Sequence, residues 1–102
     1  MIDCHRETAI ILDRLADHFK KRPRTIYQLS VAWDPYEGGI NFFILIHKLG
    51  HRQRSIPLHT VKTTELADFE TIMTEIKGAT QISVVYAGFD GLRWPSSNQL
   101  IT

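Results

Sequence analysis

The groups of this chain that could do chemistry are five histidines, one cysteine and eleven carboxylates. His47 and His51 stand four residues apart, and His59 follows on. On a helix that spacing puts two imidazoles on one face, where they can share a metal ion. Here Lys48, Leu49 and Gly50 lie between them and read as a turn, so the two rings flank a bend and the spacing loses its meaning. No His-Glu-x-x-His motif accompanies them, and no metal site is expected. Cys4 and His5 are adjacent, and neighbouring side chains on a helix diverge, so they make no thiolate–imidazole pair. Gly38-Gly39 and the glycines of residues 88–91 lack the spacing and the lysine of a phosphate-cradling loop. A Gly-x-Ser-x-Gly nucleophile elbow is absent too. No catalytic residue and no cofactor are therefore expected.

The spacing does collect charge. One basic stretch holds Lys20, Lys21, Arg22 and Arg24; a second holds Lys48, His51, Arg52 and Arg54. Whether they meet depends on the elements between them. Residues 4–22 read as a helix, with Ile11, Leu12, Leu15, Ala16 and Phe19 on one face and Pro23 as its stop. Residues 26–33 alternate Tyr27, Leu29, Val31 and Trp33 with smaller or polar residues, the pattern of a strand with one buried face. Asp34-Pro35-Tyr36-Glu37-Gly38-Gly39 is a turn by its chemistry. Residues 40–47 are apolar on both parities, as in a central strand, and residues 53–59 make an edge strand because Pro57 cannot donate to a ladder. Thr63 or Thr64 caps a helix over residues 65–77 that ends at Gly78, and residues 81–87 form a last strand. The prediction is an α+β domain of order α-β-β-β-α-β: an antiparallel three-strand meander, a fourth strand and two packed helices. It covers residues 1–94, and residues 95–102 read as a loose C-terminal tail.

A meander returns the turn after the second strand to the end where the first strand begins. The two basic stretches then share one pole, and Asp3, Glu7, Asp34, Glu37, Glu65, Asp68 and Asp90 collect at the other. Such a basic pole suits an acidic protein or a phosphate backbone. Solvated charges that complement helix ends explain the same residues without any partner.

Residues 4–87 run helix, three strands, helix, strand, an order that resembles the core of the restriction-endonuclease-like fold. That resemblance implies an acidic residue and a Glu-x-Lys pair on the central strands, holding magnesium and activating water. The chain departs from it there. Residues 40–47 contain no carboxylate, residues 53–59 contain no Glu-x-Lys, and Glu75-Ile76-Lys77 falls at the end of the second helix. Asp34 and Glu37 share a loop but have no lysine partner. Without its last strand the order is also similar to a double-stranded RNA-binding domain, whose second helix begins with phosphate-gripping basic residues. Here that segment, Thr63-Thr64-Glu65-Leu66-Ala67-Asp68, has the opposite sign.

Two surfaces could receive a protein. Phe43 and Leu45, with Ala32 and Val85, share a face of the sheet. If the helices cover opposite faces, that face is core; if both helices lie on one face, it is an exposed patch of the kind that marks interfaces. Trp33 and Tyr36 in the acidic turn supply aromatic contact area, unless Trp33 merely ends the buried face of its strand.

Composition bounds the choice. At 102 residues, 43% hydrophobic and 23% charged, the chain is one ordinary globular domain. Its longest apolar run, residues 42–46, is far too short for a bilayer, and charges at Asp3, Arg6 and Glu7 argue against an export signal. A lone cysteine excludes an internal disulfide, so a cytoplasmic protein is expected. The expected function is a small non-enzymatic protein-interaction module, such as an inhibitor, adaptor or immunity-type protein. Its partner is another protein, a second copy of the chain among them, and not a membrane. A nucleic-acid-binding accessory protein using the basic pole is the alternative, and a divergent nuclease-like enzyme the third reading.

Overall fold

The structure is a computed structural model and describes residues 2–18 and 24–101. Its order is α1 (Cys4–His18), β1 (Thr25–Asp34), β2 (Gly39–Lys48), β3 (Arg54–Val61), α2 (Leu66–Ala79) and β4 (Ser83–Ala87). The four strands form one mixed sheet in the order β3-β2-β1-β4. The meander is antiparallel, and β4 joins β1 in parallel. The α+β class and element order are those expected from the sequence. The expected continuation of the first helix through residues 19–22, and with it Lys20, Lys21 and Arg22, lies outside the described residues.

Local chemistry explains the ends. The β1–β2 turn is closed by Asp34, whose Oδ1 accepts from the Glu37 N–H at 3.2 Å, and by Gly38, which takes φ 68°. Pro57 sits on the edge strand β3 opposite Phe43, and the pairing slips between Phe42 and Phe43, leaving Leu58 as the extra residue. Before α2, the Thr63 hydroxyl accepts from the Glu65 N–H at 3.1 Å and reaches Asp68 Oδ2 at 3.2 Å. Glu65 holds the N-cap position without a side-chain cap. The helix runs past Gly78 to Ala79, so that glycine does not stop it; Thr80 closes it by donating its N–H to Ile76 O.

Both helices pack on the same face of the sheet. Thr8, Ile11 and Leu15 of α1 and Phe69, Ile72, Met73 and Ile76 of α2 are buried. They meet Leu29, Val31, Ile40, Phe42, Ile44, Leu58 and Val61 in a single core. Of the two arrangements open from the sequence, this is the one that leaves the other sheet face without a helix among the described residues. After β4 the chain turns at Gly88, where an added Cβ would lie 3.0 Å from the Trp33 carbonyl oxygen. Phe89 and Trp94 then stack on Phe69, with centroids 5.0 and 5.3 Å away. Composition suggested a loose tail after residue 94, yet the chain folds back through an Arg93–Leu100 bridge and buries Ile101 in the core. Among the described residues no helix is long and apolar enough to cross a membrane.

Candidate functional site

Strand pairing assigns the rungs of the uncovered face. Its middle rung is Val85, Ser30, Phe43 and Pro57, running across β4, β1, β2 and β3. The rung below is Ser83, Gln28, Leu45 and Ser55, and the rung above is Ala87, Ala32, Asn41 and Thr60. Thr60 Oγ1 donates to Asn41 Oδ1 at 2.7 Å, which places both side chains on this side. Ile26 and His47 close one end, and Asp34 and Gly39 the other. Across the three middle rungs the face carries no charged residue, while Asp34 stands at the rim beside Lys62, whose Cδ lies 3.9 Å from where a Cβ on Gly39 would be. Phe43 and Leu45 are half-buried by their neighbours, Val85 is 37% exposed, and Ile26 is 62% exposed. An uncharged, partly apolar face four strands wide is unusual for a surface in water.

Trp33 does not belong to this face. It pairs with Ile40, points to the helix side, and packs against Phe89 with centroids 5.7 Å apart. Tyr36 is almost fully exposed in the β1–β2 turn. The structure thus keeps Phe43 and Leu45 together and separates Trp33 and Tyr36 from them.

The cationic residues gather at the end of the sheet where β1 begins. Thr25 pairs with Lys48, and the Leu49 N–H donates to the Arg24 carbonyl at 2.8 Å. Lys48 and Arg54 share the parity of Ile46 and Ile56, so they point to the helix side, beyond the described end of α1. With His18, His51, Arg52 and Tyr27 they line a cleft of about 440 Å³, which Asp17 also borders. Arg24 lines a different depression, with Ile26, His47 and Leu49. The ion pairs among the described residues are His5–Glu75 and His59–Glu7, and none of them involves Lys48, Arg52 or Arg54. The sequence did not flag His18 as part of this cleft; its signal was the helix end entering the same pole. At the opposite end lie Asp34, Glu37, Asp90 and the start of α2 with Asp68.

The histidines are separated. His47 is exposed on the uncovered face, and His51 lies in the β2–β3 turn. His59 faces α1, where its Nε2 pairs with Glu7 and its Nδ1 lies 3.4 Å from the Arg14 guanidinium. Arg14 also donates to the Leu58 carbonyl at 2.6 Å. This polar seam fastens α1 to the edge strand. Among the described residues no group of three or more His, Cys, Asp or Glu side chains is placed to hold a metal ion. Cys4 Sγ lies 3.6 Å from Asp68 Oδ1. Burial pushes its thiol pKa up, and the Asp68 charge, its hydrogen bond and the more distant Glu75 add to the rise. A thiol held neutral in this way is a poor nucleophile.

No family model matches the chain, and neither a curated protein nor a solved structure matches it.

Proposed function

We propose that the chain is a small protein-interaction module of the cytosol, without chemistry of its own, that docks a protein partner on the uncovered face of its sheet. One observation carries this reading: both helices lie on one side, and the other side presents Phe43, Leu45 and Val85 on middle rungs free of charged side chains. Water solvates such a face poorly, and a protein surface of matching shape gains by covering it. The charged ends then act at a distance, setting approach rate and choice of partner more than strength. A second reading, nucleic-acid binding, is favoured by Lys48, Arg52 and Arg54, which line one cleft outside the ion pairs of the described residues. Against it stand the formal net charge of +1 and the acidic far end.

One capture experiment separates the two. Tagged wild-type chain, a Phe43→Glu/Leu45→Glu variant and an Arg52→Glu/Arg54→Glu variant are used as baits in extract of the native cell, with and without nuclease. The expected result is one stoichiometric protein, held by the wild type and the arginine variant after nuclease, and lost with the face variant. Capture that vanishes with nuclease or with the arginine variant, undiminished capture by the face variant, or no partner at all contradicts the docking reading.

A further inference from the structure

From the charge pattern and the strand register we infer that the uncovered sheet face receives a second copy of this chain, packed face to face with its strands antiparallel to the first. The inference rests on the docking reading and names its occupant.

Two features point to a second copy. The middle rungs of the face offer no charge for a foreign partner to read, so their best complement is an equally uncharged face, and its own copy supplies one. The area suits a weak, reversible association: strand spacing of about 4.8 Å and a rise of about 3.3 Å per residue make the face roughly 19 Å by 20 Å, so two faces cover roughly 760 Å².

Charge selects the orientation. The sheet is dipolar: Arg24, Lys48, Arg52 and Arg54 lie at one end, and Asp34, Glu37 and Asp90 outnumber Lys62 at the other. Two sheets can stack with like ends together or with opposite ends together. Only the second sets each basic end beside the partner copy's acidic end, where the attraction is favourable. The two-fold axis then crosses the strands at the middle rung. Ser30 faces its own symmetry mate there, as does Phe43, and His47 comes over the rung that ends in Asp34. Aligned packing of two sheets in this manner is the ordinary sandwich arrangement.

The test is sedimentation equilibrium of the intact chain between 1 and about 300 μM (on the order of the range that brackets weak specific association), at low and high salt. The expected result is a reversible monomer–dimer equilibrium that weakens as salt rises. Ser30→Arg and Phe43→Glu each set like charges against themselves across the axis and should weaken dimerisation at least about tenfold. Ser30→Arg changes a polar position, so its fold, checked by circular dichroism, is expected to survive even if that of Phe43→Glu does not. A monomer throughout the range, or a dimer indifferent to Ser30→Arg, overturns the proposal. Salt that strengthens the dimer overturns the antiparallel orientation. Should the wild type stay monomeric while capture of another protein is lost in the face variant, the docking reading stands and the second copy falls.

Discussion

The environment of Cys4 alters its acid–base behaviour in a defined direction. Burial first, and the Asp68 carboxylate second, hold the thiol above its ordinary pKa. A raised pKa favours the neutral form, so the thiolate fraction at pH 8 lies below that of a free thiol, and the rise in reactivity with pH comes later. Alkylation by iodoacetamide should therefore be slower than for a free thiol at pH 8, and faster in Asp68→Asn than in the wild type. A wild-type rate equal to that of the free thiol contradicts the placement of Cys4 beside α2. The Cys4–Asp68 contact was not legible in the sequence, because it joins residues 64 positions apart through the packing of two helices. The Glu7–His59 pair was hidden for the same reason. His59 was read as the last residue of an edge strand, and β3 runs on to Val61 and turns that ring toward α1. A net contribution of about 1 kcal/mol is typical of such a bond, enough to fix how α1 lies on the edge strand.

At the scale of elements, periodicity did most of the work. The alternation of β1, the apolar run of β2 and the stripe of α2 are each visible residue by residue. Two boundaries were misjudged from composition. Gly78 looked like a helix end, but no side chain is needed there and the helix continues at modest cost. The last residues looked like a tail because Pro95, Ser96, Ser97 and Asn98 are turn formers; they build a hairpin-like return that delivers Ile101 to the core. Ile101→Ala is expected to cost about 2 kcal/mol or more, a fall in Tm of about 8 °C or more for a domain of this size. Thermal unfolding followed by circular dichroism checks this, and an unchanged Tm would return residues 95–101 to the status of a loose end.

For the whole molecule, the sequence could not choose on which side of the sheet each helix packs. β2 is apolar on both parities, so Phe43 and Leu45 suited a buried face as well as an open one. The decision lies in the neighbours of those residues. β1 offers Gln28, Ser30 and Ala32 on the same side, and β4 offers Ser83 and Ala87 around a single Val85. Small and polar partners of this kind leave no ridge for a helix to grip, while the other side offers Leu29, Val31, Val84 and Tyr86. The same asymmetry that gathers both helices on one side leaves an uncovered face behind. Lys48 and Arg54 point away from it, so the candidate contact surface and the basic cleft are separate regions of one molecule. Their separation makes amide chemical shifts, followed as the pure chain is diluted, the most direct measurement of the central claim. The account predicts concentration-dependent shifts centred on Gln28, Ser30, Phe43, Leu45 and Val85, and weaker toward residues 51–54. Shifts confined to residues 48–54, or none on the sheet face at any concentration, would contradict it.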